Sequence, residues 1–278
     1  MTNFRTNIRT RSPLFLGLSD LVAGAKRMEL WVAFASEDIQ KRYIRSGLGV
    51  LWIGISYALF LLVYVLIFGR LAADELPGRV CYIASGFLVW NFMSSAMGEG
   101  VNLFIGNANW IKAARMPYTV FAFQNTLRLS FHFAFAIVVT IAVVLWFRAA
   151  IHPHQTMLTL GSMLIALVLM VISAFWISIF FGIIALRYRD FVHFMNSALR
   201  IGFLVTPVLW EGGRLGRVGA IVATYNPITY YIELIRRPLL DGYVPWHAWG
   251  LVLGITSLGF VIAIGCLSIF YKKLVFWL

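Results

Sequence analysis

FASEDIQKRYIRSGLGVLWIG, residues 34–54, changes character halfway along. Glu37, Asp38, Lys41, Arg42 and Arg45 crowd its first half, and after Ser46-Gly47 no charge occurs until Arg70. The uncharged run that follows, LGVLWIGISYALFLLVYVLIFG (48–69), is long enough at about 1.5 Å per residue to cross a hydrocarbon layer of roughly 30 Å. A charge cluster pressed against such a run marks the entry of a chain into a membrane.

The rest of the chain agrees. Of its 278 residues 61% are hydrophobic and 12% charged, whereas a soluble domain has about 45–50% and about 25%. Six spans are expected, at 48–69, 80–105, 118–147, 157–186, 191–210 and 248–271, with only Arg187-Tyr188-Arg189-Asp190 between the fourth and fifth. The expected fold is all-α and polytopic, with a region before the spans (1–47), a six-span domain (48–271) and a tail (272–278). Lys and Arg number fourteen in the connections on the side of the termini and seven on the other, which places both termini in the cytoplasm. The net charge of +12 is accounted for by this bias and not by nucleic acid, with membrane lipids as the neighbours.

Three shorter segments are expected as helices outside the spans. Residues 18–41 fit one amphipathic interface helix, with Leu18, Leu21, Val22, Ala25, Met28, Val32, Ala35 and Ile39 on one face and Asp20, Arg27, Asp38 and Lys41 opposite. Glu29 intrudes on that apolar face, and Leu30 and Phe34 lie off it. NANWIKAARMP (107–117) fits a short amphipathic helix with Trp110, Ala113, Ala114 and Pro117 on one side and Lys112 and Arg115 on the other. In NPITYYIELIRRPLLDG (226–242), Asn226 suits an N-cap, Pro227 the first helical position and Gly242 the C-terminal stop. Arg237 there can pair with Glu233 and Asp241 one turn away. Too short and polar to span, this helix lies on the outer surface or dips in and returns.

Ionisable residues inside a span need a partner or a purpose. Glu99, Arg128 and Arg200 fall at overlapping depths, so Glu99 can pair with either arginine; Arg128 is the preferred partner for an intramembrane ion pair, which leaves Arg200 for a passing anionic group such as a lipid diphosphate. Trp52, Tyr57, Phe60 and Tyr64 in the first span, and Phe203 in the fifth, suit an aromatic-lined path, since sugar rings stack on aromatic faces. No phosphate-binding G-x-x-x-x-G-K-[ST] loop occurs, His152-Pro153-His154 lacks further metal ligands, and Cys81 and Cys266 lie near opposite membrane faces. Neither a metal nor a cofactor is expected in this chain. A polyprenyl-phosphate sugar transferase would need clustered acids in a cytoplasmic loop, and these loops are short and mostly basic.

Four motifs in order carry a family likeness: Glu37-Asp38-Ile39 with Arg42-Tyr43 and Ser46-Gly47-Leu48-Gly49-Val50-Leu51-Trp52, then RYRDF (187–191), TPVLW (206–210) and YNPITYYIELIRRPLLDG (225–242). Together the chain from about residue 30 onward resembles permease subunits of type-2 ABC exporters, above all those for polysaccharides such as O-antigen, capsule and teichoic acid. Ser56-Tyr57 stand where many members have a proline. The resemblance implies a homodimer in the bacterial inner membrane that exports a lipid-linked glycan as part of lipopolysaccharide biosynthesis. Two copies of a separate ATPase subunit would hold ATP and Mg and drive transport. It assigns ATPase coupling to Glu37, Asp38, Arg42, Tyr43, Trp110, Ile111, Lys112, Arg115, Arg187, Arg189 and Asp190. The substrate channel falls to Trp52, Tyr57, Phe60, Tyr64, Arg200 and Phe203, and the outer gate to Asn226, Pro227, Arg236 and Arg237. A drug or small lipid on the same scaffold is the alternative cargo.

Overall fold

The computed structural model describes residues 14–44, 46–69, 76–114, 116–147, 156–211 and 216–278. These form thirteen helices and no strand: α1 Leu14–Ala25, α2 Met28–Tyr43, α3 Leu51–Gly69, α4 Leu76–Gly100, α5 Leu103–Gly106, α6 Ala108–Ala113, α7 Thr119–Trp146, α8 Met157–Arg187, α9 Asp190–Val205, α10 Gly216–Tyr225, α11 Pro227–Asp241, α12 Trp246–Phe270 and α13 Leu274–Trp277. Within α4, α7, α8 and α12, four stretches are long and apolar enough to cross a membrane (Pro77–Gly100, Thr119–Trp146, Met157–Arg187, Trp246–Phe270). The expected first and fifth spans correspond to α3, of 19 residues, and α9, of only 16. The fifth ends at Val205, short of the expected residue 210, and the second at Gly100, short of 105.

The helix α4 is the axis of the bundle. It packs against α3, α7, α8, α9 and α11, so its side chains meet protein on most sides and Ile83, Ala84, Val89 and Ala96 are fully buried. Its small residues allow close approach. A methyl on Gly100 would stand 2.9 Å from the Cα of Ser178 in α8, which is how helices dock without a hydrophobic drive between them in lipid. One apolar core surrounds α4, from Tyr57 and Phe87 to Tyr231 and Trp249. A second gathers Phe104, Ile111, Phe121, Ile183 and Leu267 at what is here termed the basal end, with α1, α2, α6 and the 187–190 turn.

The interface segment is two helices instead of one. The chain breaks at Lys26-Arg27, and beyond the break Trp31, Phe34 and Ala35 turn toward the bundle while Glu29 and Leu30 stay exposed. Trp31 stacks on Phe123 of α7 at 5.6 Å between ring centroids, and Phe34 on Phe121 at 6.4 Å. The N–H of Gly17 in α1 donates to Ser268 Oγ of α12 at 2.9 Å, while Phe15, Leu18 and Val22 stay exposed as an apolar face. Between α2 and α3, Gly49 adopts φ 53°, a left-handed conformation that glycine alone adopts without cost.

Candidate functional site

Asp20 is the first departure from the expected pattern. Placed by periodicity on the water-facing side of the interface helix, it is 1% exposed and caps α7. Its carboxylate accepts from the N–H groups of Tyr118 and Thr119 at 3.0 and 2.9 Å and lies 2.8 Å from Thr119 Oγ1. The first N–H groups of a helix have no partner of their own and carry partial positive charge. Tyr118 at the N-cap offers no side-chain oxygen for them, so α1 supplies one from elsewhere in the chain. Burial pushes the Asp20 carboxyl above the usual aspartate range, against the pull of these donors.

A polar network joins the basal helices. Arg128 of α7 donates to Glu99 Oε2 of α4 at 2.8 Å and to Asp38 Oδ2 of α2 at 3.0 Å. Its third bond goes to Asn125 Oδ1 at 2.8 Å, and Asn125 donates in turn to Ser178 Oγ of α8 at 3.0 Å. Asp38 also accepts from Gln124 at 2.7 Å. Four helices, α2, α4, α7 and α8, thus meet through one guanidinium. Asp38, placed by the family resemblance in the ATPase-coupling set, is directed into the bundle instead of outward. Its neighbour Glu37 pairs with Lys41 on the solvent side at 2.6 Å. Arg42 is exposed, and Tyr43 half-buried.

The short helix between the second and third expected spans is α6, six residues long. Trp110 is half-exposed, its ring 5.2 Å from Phe34, Lys112 is exposed, and Ile111 points inward at 9% exposure. Arg115 lies outside the described residues, as do Arg45, Asp74, Glu75, His152 and His154. At the other turn Arg187, Arg189 and Asp190 are exposed, and the Arg187 guanidinium lies over Trp277 at 5.5 Å.

The aromatic residues proposed for a path separate into two groups. Trp52 and Phe60 are exposed at 43% and 61%. Tyr57 is turned inward, its hydroxyl 2.9 Å from Thr140 Oγ1 of α7. Tyr64 packs on Phe87 and on Phe203 of α9, at 5.4 and 5.3 Å between ring centroids. On α9 the exposed face carries His193, Asn196, Ser197 and Arg200, a polar stripe that the sequence reading reduced to Arg200. Polar groups there are costly in contact with lipid.

At the far end, α11 forms with the capping residues expected. Asn226 Oδ1 accepts from Ile228 N at 3.0 Å, Pro227 follows, and Gly242 closes the helix at φ 69°. Arg237 bonds Asp241 at 2.8 Å and lies 3.8 Å from Glu233. Arg236, placed by the family resemblance in the outer gate, is buried. Its Nη1 donates to the carbonyl of Pro207 at 2.9 Å and its Nη2 to that of Tyr82 at 3.1 Å. Asn226 also donates to Thr206 Oγ1 at 2.8 Å, so α11 is tied twice to the irregular 206–210 segment where α9 ends. A cavity of about 650 Å³ beside it is bordered by Arg79, Glu211, Glu233 and Arg237. A second short helix, α10, precedes α11 in the same outer segment. Cys81 and Cys266 are both free.

An all-helical bundle with membrane-crossing helices, an interface pair at one end and a tethered short helix at the other defines the class. The ABC-2 type transporter family model matches residues 29–240, and the chain belongs to that family of membrane transport proteins. Two proteins of Klebsiella pneumoniae, each called O-antigen export system permease protein RfbA, are 28% identical over 244 residues, which is 88% of this chain and 92% of theirs. A protein of the same name in Myxococcus xanthus is 24% identical over 183 residues, 65% of this chain and 68% of its own.

Proposed function

We propose that this chain is the membrane-spanning permease subunit of an ATP-driven exporter of O-antigen polysaccharide. The observation that carries the reading is the likeness to O-antigen export permeases over most of both chains, together with the family match. The proposal places α3 and α9 with the four long helices as six spans of a multi-pass protein of the bacterial inner membrane. Both termini, α1, α2, α6 and the 187–190 turn then lie in the cytoplasm, as the excess of Lys and Arg there supports.

In this reading a separate ATPase, two copies on a permease homodimer, holds ATP and Mg. It docks on the exposed Trp110, Lys112, Arg187 and Arg189, and on the outward Glu37–Lys41 side of α2. Motion reaches the spans through Asp38 and Arg128. The polar stripe of α9, with Arg200, faces the path between the two copies, because none of it belongs in lipid. The cargo is lipid-linked, and α11 with Asn226, Arg236 and Arg237 closes the outer end.

Deletion of the gene in its own cell tests the proposal. Surface O-antigen should disappear while the polymer accumulates inside, and the intact gene should restore export. Unchanged surface polymer would refute it.

A further inference from the structure

We infer that the cleft between α3, α4 and α7 is an intramembrane subsite for a single neutral sugar unit of the transported chain, an inference that rests on the glycan-export reading. The cleft has a volume of about 240 Å³. Ser56, Asn91, Ser95, Glu99 and His132 border it, with Arg42 at its basal mouth. Phe60, Phe87 and Phe133 form apolar walls.

The cleft gathers unmet hydrogen-bonding capacity. His132 Nδ1 lies 2.9 Å from the Arg128 carbonyl, but its Nε2 is buried and has no partner among the described residues. The side chains of Ser56, Asn91 and Ser95 make no hydrogen bond to another described residue either. Lipid offers such groups nothing, and a polar group left unsatisfied in an apolar medium is costly. A row of two hydroxyls, an amide and an imidazole supplies both donors and acceptors, as adjacent sugar hydroxyls do. The aromatic walls accept the C–H faces of the ring.

Charge argues against an anionic occupant. Arg42 at the mouth is opposed by Glu99 on the same rim, and Arg128 is already held by Glu99 and Asp38. No group of three potential metal ligands exists among the described residues. An apolar drug or lipid tail would leave every polar group unmet. Asn91, Ser95 and Glu99 stand one turn apart along α4, a rise of about 6 Å per step, so their polar groups form one row along the wall of the cleft. Arg42 and Glu99 also border a second cavity of about 300 Å³ at the basal end, so the cleft connects with the side from which cargo would enter.

The test uses the full-length permease in cells that make its glycan. A photoreactive benzophenone amino acid replaces Ser56 in one strain and Val138, exposed on α7 outside the cleft, in another. Irradiation should give a glycan-bearing permease band with the probe at position 56 and not at 138. Asn91→Leu and His132→Leu should each lower surface glycan about tenfold at an unchanged level of permease in the membrane, the effect of losing one well-made polar contact. If either variant fails to accumulate, the adduct at position 56 in the otherwise native chain decides. No adduct at 56, with the probe-bearing permease present in the membrane at the wild-type level, overturns the subsite and leaves the permease reading standing. No export by the wild-type chain overturns the reading on which the subsite rests.

Discussion

The guanidinium carbon of Arg236 lies 3.5 Å from the centroid of the Tyr82 ring. Two of its N–H groups reach carbonyls on two different segments, Pro207 before α10 and Tyr82 within α4. One side chain therefore pins α11 to α4 and to the end of α9. Lysine has neither the planar fork nor the stacking face, so Arg236→Lys and Arg236→Met should both destabilise the purified protein, by about 3 kcal/mol, the scale of lost charged hydrogen bonds and a desolvated cation–π contact. Denaturant or thermal midpoints in detergent check this, and unchanged midpoints would mean that the contact is dispensable.

Arg128 predicts a non-additive series. Removing the cation in Arg128→Gln leaves Asp38 and Glu99 facing each other without compensation, whereas Asp38→Asn or Glu99→Gln leaves one partner in place. The arginine variant should lose the most, and combining Arg128→Gln with Asp38→Asn and Glu99→Gln should recover part of the loss. Coupling of about 1–2 kcal/mol is expected, since all three side chains remain partly open to solvent. A double-mutant cycle on unfolding midpoints measures it.

Asp20 predicts a pH dependence of definite sign. Burial makes its carboxyl hold a proton more readily in the folded chain than in the unfolded one. A group of this kind contributes stability that is complete below the ordinary aspartate pKa and is lost as pH rises through the higher folded value. Melting temperatures taken from acid to neutral pH should fall across that window, and Asp20→Asn should flatten the decline. A variant that tracks the wild type at every pH would remove Asp20 from the account.

Gly17 is expected to tolerate nothing larger. A methyl there would stand 2.6 Å from the Ile264 carbonyl of α12, so Gly17→Ala must push α1 off the bundle. A cost of about 1–3 kcal/mol is usual for such overpacking. Faster protease cleavage around Lys26-Arg27, with the spans still protected, is the measurable sign.

Local signals in the chain proved readable, and long-range ones did not. Asn226-Pro227 and Gly242 announce α11 because a cap and a left-handed stop act within a few residues of themselves. Glu99 and Arg128 can be paired on paper because each needs an opposite charge inside hydrocarbon. That Asp38 completes the group could not be read, since its own neighbours Glu37 and Lys41 belong to a solvated face. Asp20 was hidden for a similar reason, its partners lying 98 and 99 residues away. A usable hint existed all the same: the start of α7 has no capping side chain of its own. The break between α1 and α2 was visible only as a blemish in the helical pattern. The polar stripe of α9 escaped notice because His193, Asn196 and Ser197 are uncharged and become conspicuous only when all are found on one open side.

The shortness of α9 has a mechanical meaning for its outer end. Sixteen helical residues rise about 24 Å, and beyond Val205 the chain runs on as the irregular 206–210 segment instead of as helix. That stretch is gripped by Asn226 through Thr206 and by Arg236 through Pro207, so the tip of α9 is moored to α11 and cannot shift unless α11 shifts with it.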